Sequence, residues 1–309
     1  MRAIFWKELA DHLGSRRFFI LSLIILVVAG TSVYLGIQGF QENPAAAQDF
    51  PYLRLFTTAP GALPSFLSFL AFFGPLLAVL LGFDAVNSEF TRGTVSRVLA
   101  QPIFRDAWIN GKFLAGLGTL AIVVVSIVLL IFGLGLYALG FPPDGPELAR
   151  LGVFLVVALL YLGFWLALGI LYSVLFRSTA SSALAAVATW LFFTLFLYMI
   201  AGVVADQVVP VRADSPAEAW LKHENLRDFI LRFSPVALFE EATLPILVPS
   251  YRGLSLLALL MQPGVPTNPL PLGQSLLVGW PQLVGLLALT SVCFAAAYLV
   301  FMRREIRTS

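Results

Sequence analysis

Residues 84–112 read Asp-Ala-Val-Asn-Ser-Glu-Phe-Thr-Arg-Gly-Thr-Val-Ser-Arg-Val-Leu-Ala-Gln-Pro-Ile-Phe-Arg-Asp-Ala-Trp-Ile-Asn-Gly-Lys. On either side lie long apolar runs, 63–83 and 113–139, and neither contains a charge. The stretch itself carries Asp84, Glu89, Arg92, Arg97, Arg105, Asp106 and Lys112. A charged segment between two charge-free runs of that length reads as a water-exposed loop joining two membrane spans. Within it, Gly93 breaks the chain and Thr94 caps a short helix through Ala100. Val95, Val98 and Leu99 then share one face at i, i+3 and i+4. Gln101-Pro102 stops this helix, and Arg105-Asp106 leads into the next span. A short helix with an apolar face outside the membrane needs a surface to cover that face. The alternative is that it lies flat on the lipid headgroups.

The rest of the chain agrees with a membrane protein. Of its 309 residues, 59% are hydrophobic and only 12% charged, which excludes an ordinary soluble domain. Apolar runs long enough for the ~30 Å hydrocarbon core recur at 18–36, 63–83, 113–139, 151–175, 181–204 and 281–302. Arg16-Arg17 followed by an apolar run imitates a signal peptide, but no small-residue cleavage site follows and the run is long enough to span. Residues 1–17 hold an amphipathic helix expected along the inner membrane surface, with Ile4, Phe5, Leu9 and Leu13 among Arg2, Lys7, Glu8 and Asp11. Gly74-Pro75 is expected to kink the second span. Basic residues set the orientation: the termini and the loops after spans two and four hold twelve Lys and Arg, whereas the short loops on the other side hold only Arg54 and Arg150. Both termini are expected to be cytoplasmic, in the plasma or inner membrane.

Segment 205–280 is expected outside, as a cap of short amphipathic helices on the membrane or over a pore mouth. Ser215-Pro216-Ala217-Glu218 has the form of a capping box. The helix it opens would bury Leu226, Phe229, Ile230 and Phe233. Ser234-Pro235 restarts a second helix through Thr243, and 251–262 forms a third apolar stretch. On span five, Ser181, Ser182, Ala185, Ala188 and Thr189 form a small-residue face suited to helix packing. Phe66, Phe69, Phe72 and Phe73 crowd span two.

Several chemistries are excluded. Of the three lysines only Lys112 follows a glycine, and Phe113 stands where a phosphate-binding loop needs Ser or Thr. Gly111-Lys112 reads instead as a loop-to-span junction with the lysine snorkelling to phosphates. His12 and His223 fall on opposite sides of the membrane, and Cys293 lies inside the last run, so no metal site or catalytic triad is expected. No Asp, Glu, Lys, Arg or His lies within any span as drawn. This argues against an ion-coupled carrier and for an apolar or amphipathic cargo.

The pattern Asp84-x4-Glu89-x3-Gly93-Thr94-x4-Leu99-x2-Pro102-x2-Arg105, ending in Gly111-Lys112, resembles the first cytoplasmic loop of ABC-2-type transporter permeases, nearest the group associated with multicopper-enzyme and nitrous-oxide-reductase maturation. Trp6-Lys7-Glu8-Leu9 and, more loosely, Ser234-Pro235-x3-Phe239-Glu240-Glu241-Ala242-Thr243 support the resemblance. It implies an all-α membrane protein with six transmembrane helices in a single domain over 1–309. It makes 84–112 a cytoplasmic coupling loop whose helix sits in a cleft of a separate ATPase subunit, so that ATP and Mg bind the partner and this chain holds no cofactor. Glu89, Arg92 and Arg97 would then contact the ATPase rim, and Val95, Val98 and Leu99 would fill its cleft. Arg177 and Ser178 would form a second, minor inner contact. The implied partners are two ATPase subunits, a second copy of the chain or a related permease, lipid, and a protein on the outer cap; nucleic acid is not among them. The alternatives are a non-transporting anchor or mechanical transducer whose outer cap binds another protein, and a secondary transporter.

Overall fold

The computed structural model describes residues 1–42, 50–58, 65–91, 93, 104–212, 215–250 and 269–303. The predicted coupling helix (94–100), with Arg92 and Pro102, and the third outer stretch (251–262) lie outside the described residues. What is described is helical: α1 (Arg2–Leu13), α2 (Arg16–Glu42), α3 (Pro51–Thr57), α4 (Phe66–Gly82), α5 (Asn87–Thr91), α6 (Arg105–Leu139), α7 (Gly145–Leu175), α8 (Thr179–Leu191), a π-helical turn (Phe192–Phe196), α9 (Leu197–Val208), α10 (Ala217–Leu231), α11 (Pro235–Leu247) and α12 (Leu272–Arg303). Six of the resulting helical stretches are long and apolar enough to cross a membrane, with α8, the π turn and α9 counting together as span five. α1 and the last turns of α12 lie at the same end of the bundle, where Ile4 meets Gly111 and Trp108 stacks on Phe301 at 5.0 Å.

α7 is the central post, buried along its length through Phe154, Tyr161, Trp165 and Ile170. Asp144 and Glu147 start it with a capping box. α4 crosses α7 where two glycines meet: a Cβ on Gly82 would lie 2.8 Å from the Leu166 carbonyl oxygen. Only a residue without a side chain permits that approach. Higher up, Tyr161 donates to the Ala71 carbonyl at 2.6 Å, satisfying a hydroxyl that is wholly enclosed.

The connection between α2 and α4 is not a bare linker, because α3 buries Tyr52, Leu53, Leu55 and Phe56 completely. Glu147 holds it by accepting from the Tyr52 amide at 2.9 Å. Two expectations fail here. The 215–218 capping box is not formed: Pro216 is the N-cap without a side-chain bond, and Ser215 Oγ accepts instead from Arg212 N. The predicted α10 stripe, in turn, holds only in half: Leu226 and Ile230 are half-buried, Ile230 against Ala201, Leu231 and Ala237. Phe229 and Phe233 are 58% and 66% exposed, whereas His223 and Leu231 are buried against α9, with His223 Nε2 3.0 Å from Asp206 Oδ1. His223 is thus enclosed.

The larger departure concerns α10 and α11, which do not lie on top of the bundle but enter it as a hairpin. α10 packs down along α9, and the turn at Arg232–Ser234 reaches the middle of span five. There the π turn has shifted the backbone hydrogen bonds by one residue, which commonly leaves a carbonyl unpartnered. Ser234 Oγ donates to the Phe193 carbonyl at 3.2 Å while its oxygen also caps α11 by accepting from Val236 and Ala237. α11 then climbs back out with almost every apolar side chain buried. Phe239 stacks on Tyr161 at the midpoint of α7, with centroids 4.3 Å apart and planes 11° apart, and Ala242 meets Gly279 of α12. At the top, buried Arg150 donates to the carbonyls of Pro245, Ile246 and Leu270 and to Ser275 Oγ, tying α7, α11 and α12 together.

Candidate functional site

At the end of the bundle that holds α1, the 92–103 segment leaves from α5 and re-enters at α6. The third span therefore begins at Arg105, not at 113, and Lys112 sits two turns inside a helix. Its ammonium does not snorkel. The side chain is 2% exposed and makes ion pairs with Glu8 Oε1 of α1 at 3.0 Å and Glu89 Oε1 of α5 at 2.6 Å. The Trp108 ring centre lies 4.7 Å from the nitrogen, close enough for a cation–π contact. One lysine thus ties the entry helix of the segment, its exit helix and the N-terminal helix to a single point.

Gly111 explains how α1 comes close enough. A Cβ there would fall 2.9 Å from Ile4 Cγ2, so the glycine admits Ile4 just as the next residue pairs with Glu8. Ile4 and Glu8 are one turn apart on the same face of α1, and both are buried. α1 is consequently docked on α6 over this face. Burial alone would raise the Glu8 carboxyl, but the Lys112 ammonium, by charge and hydrogen bond, and then Lys7 more than offset it and hold the pKa below its ordinary value.

A second joint secures α4–α5 to the opposite side. Ser173 Oγ of α7 accepts from the amides of Val86 and Asn87 at 2.9 and 3.1 Å. Asn87, fully buried, donates to the Phe83 and Ser178 carbonyls, and Ser182 Oγ donates to Phe83 O at 2.8 Å. Behind α6, Trp108 stacks on Phe301 of α12 at 18°. α1, α7, α8 and α12 therefore each touch a stem of the 92–103 segment directly.

Of the residues expected to meet a partner through the loop, three lie in the described part. Glu89 is engaged with Lys112 rather than turned to a rim. Gly93 adopts a left-handed φ of 66°, as a chain break requires. Arg105 opens α6. Arg177 and Ser178 are exposed in the tight connection between α7 and α8. On span five the packed face runs through Ser182, Ala186 and Trp190; Ala185 and Thr189 are half-buried, and Ser181 and Ala188 are exposed. The packed face is therefore rotated from the expected small-residue face by one residue, about 100°. Trp190 Nε1 donates to the Phe72 carbonyl at 3.0 Å, a tie between spans two and five for which the sequence carries no local signal.

The interior is also less free of charge than the spans suggested. Lys112 and Arg150 lie within long helices, and the hairpin carries Glu240 and Glu241 into the bundle. Glu240 Oε2 accepts from the Tyr198 hydroxyl at 3.1 Å, and Glu241 Oε2 accepts from Gln282 at 2.8 Å.

The family model described as "ABC-2 family transporter protein" matches residues 2–306. The chain is 29% identical over 198 residues to a "Probable ABC transporter permease protein NosY" of Stutzerimonas stutzeri, covering 63% of this chain and 66% of that protein. It is 32% identical over 195 residues to a protein of the same description from Pseudomonas aeruginosa, covering 61% and 65%. The matched region thus spans just under two thirds of these relatives' length. A match that runs from α1 through α12, over a six-helix bundle with paired stems at one end, makes this chain a member of the ABC-2 family of transporter proteins.

Proposed function

We propose that the chain is the membrane permease subunit of an ATP-driven ABC exporter, moving an apolar or amphipathic substrate with energy supplied by a separate ATPase. The observation that carries this reading is the Glu8–Lys112–Glu89 node, which fixes both stems of the 92–103 segment to α1. Closure of two ATPase subunits on ATP pushes the helix at 94–100, with Val95, Val98 and Leu99 seated in the ATPase cleft. The stems do not yield separately, because one buried ammonium joins them. The push passes through Ser173 and Ser182 into α7 and α8, and a second copy of the chain completes the pathway. The basic residues favour a cytoplasmic location for the termini and this segment.

Transmission of force to a protein bound at the far end is a second reading. Phe229 and Phe233 favour it, as an exposed edge-to-face pair with centroids 6.0 Å apart.

Leu99→Asp tests the reading. A carboxylate on the face that a partner keeps dry costs at least several kcal/mol, roughly a thousandfold or more in association. The variant is expected in normal amounts but stripped of its ATPase and of ATP-dependent activity. An ATPase that still co-purifies, with hydrolysis still coupled, would remove this helix as the transmission element.

A further inference from the structure

A cavity of about 470 Å³ opens between α4, span five at its π turn, and α11. Its volume falls in the range of sites for drug-sized molecules, ~300–1,000 Å³. The α4 wall is aromatic: Phe69, Phe72 and Phe73 are packed side by side, with the Phe73 centroid 4.7 Å from Phe69 and 4.8 Å from Phe72. The opposite wall is polar at three points. Tyr198 and Glu240 share a hydrogen bond, and Thr194 comes from the π turn itself.

Two features of these polar groups call for a ligand. Thr194 Oγ1 is enclosed yet has no hydrogen-bond partner, which is unusual for a helical threonine because it ordinarily bonds back to a carbonyl one turn earlier. Glu240 has Tyr198 on one oxygen, and among the described residues no cation stands opposite it. A carboxylate without a counter-charge inside an apolar bundle is costly. A hydroxyl acceptor, a carboxylate and three aromatic faces around one space are together the chemistry that binds an ammonium group, through charge-assisted N–H bonds and ring faces.

We propose that this cavity binds the ammonium end of an amphipathic organic amine, with Glu240 and Thr194 accepting its N–H groups and Phe72 and Phe73 against its apolar body. The inference rests on the permease reading for what the site serves, since it names the class of cargo. It also gives the entry of the hairpin into the bundle a use, for α11 delivers the one carboxylate, Glu240, to a cavity whose other polar lining on α4 and span five is hydroxyls: Ser68, Thr194 and Tyr198.

The decisive measurement uses the full chain in nanodiscs of zwitterionic phosphatidylcholine, with empty discs subtracted. The probe is dansylcadaverine, set against its N-acetyl derivative, which keeps the body and loses the charge. Saturable binding of the amine is expected, with the acetylated probe weaker by at least about tenfold. Glu240→Gln keeps an acceptor for Tyr198 and should bring the amine down to the level of the acetylated probe without changing the latter. Thr194→Val should weaken the amine several-fold. Equal affinity of the two probes for the wild type overturns the proposal, and so does a folded Glu240→Gln that still prefers the amine. Should that variant not fold, the paired probes on the wild type decide alone. No ATPase is needed, so the two readings fail separately. An amine that binds to a chain which recruits no ATPase sinks the transport reading only. An ATPase that couples to a chain indifferent to the amine's charge sinks this one only.

Discussion

Lys112→Met removes the ammonium from the node and leaves the apolar stem in place. Glu8 and Glu89, with side chains 10% and 16% exposed, are then left facing one another without that cation. Removing one partner of a buried ion pair costs about 3–5 kcal/mol, because the stranded charge must be neutralised or hydrated. The cheapest relief is local: α1 lifts from α6 and both carboxylates reach water. At one decade per 1.4 kcal/mol, the open population of α1 should rise by roughly a hundredfold to a few thousandfold. Hydrogen–deuterium exchange followed by mass spectrometry reads this directly, as faster exchange over residues 2–13 with α7 unchanged. Adding Glu8→Gln and Glu89→Gln to Lys112→Met should restore most of the protection, since a neutral set has no stranded charge. Exchange in α1 that ignores Lys112→Met would mean the helix is held by Ile4 and Leu9 alone, and the node would lose its role as the point joining the two stems.

The same contact has a pH signature. The Glu8 carboxyl is depressed in the folded state, so its contribution is fully present above the ordinary value of 4.5 and lost only as pH falls through the lower folded value. Burial also holds His12 of α1 below its ordinary 6.5. In a His12→Gln background, therefore, protection of α1 should be flat from about pH 8 to 5 and fall below that, and a loss already at neutral pH there would contradict the ion pairing. Gly82→Val drives a side chain into the Leu166 carbonyl and should lower stability by about 1–3 kcal/mol or more, seen as an earlier thermal transition in detergent; an unshifted transition would deny the close crossing of α4 and α7. Arg150→Leu leaves the Pro245, Ile246 and Leu270 carbonyls without their donor, at about 1–3 kcal/mol for each that stays dry. Limited proteolysis from the far side should then cut near Val248–Ser250, whereas an unchanged pattern would show that the hairpin top is secured elsewhere.

The six spans were legible because hydrophobic length is a local property and each run carries its own signal. Lys112 was misread for a related reason. Hydropathy locates where charge ends, but the helix begins seven residues earlier at Arg105, where the backbone can already close its hydrogen bonds. A lysine two turns in, one position after a glycine, pairs with whatever helix the glycine admits, and the acidic partner is Glu8 of the Trp6-Lys7-Glu8-Leu9 motif. The hairpin was hidden by its composition. Prolines at 235 and 245 and the pair Glu240-Glu241 read as surface, yet burial there depends on Tyr161, Phe193 and Gly279, each supplied by a different span. The α10 stripe is only half right because the inward face is centred on His223, Ile230 and Leu231, one of them polar, while the larger side chains, Phe229 and Phe233, point away from the chain.

The π turn in span five also sets how that helix tolerates change. One extra residue in the winding puts α8 and α9 out of phase by about 100°. Each half therefore keeps its own inward stripe: Ser182, Ala186 and Trp190 on one, Leu197, Ala201 and Ala205 on the other. Deleting a single residue between 192 and 196 would regularise the winding and look harmless by hydropathy. It would nevertheless rotate α9 as a whole, carrying Tyr198 away from Glu240 and Ala201 away from Leu231. Length at this point is thus as constrained as identity, and substitutions in one half are free to accumulate without compensating changes in the other.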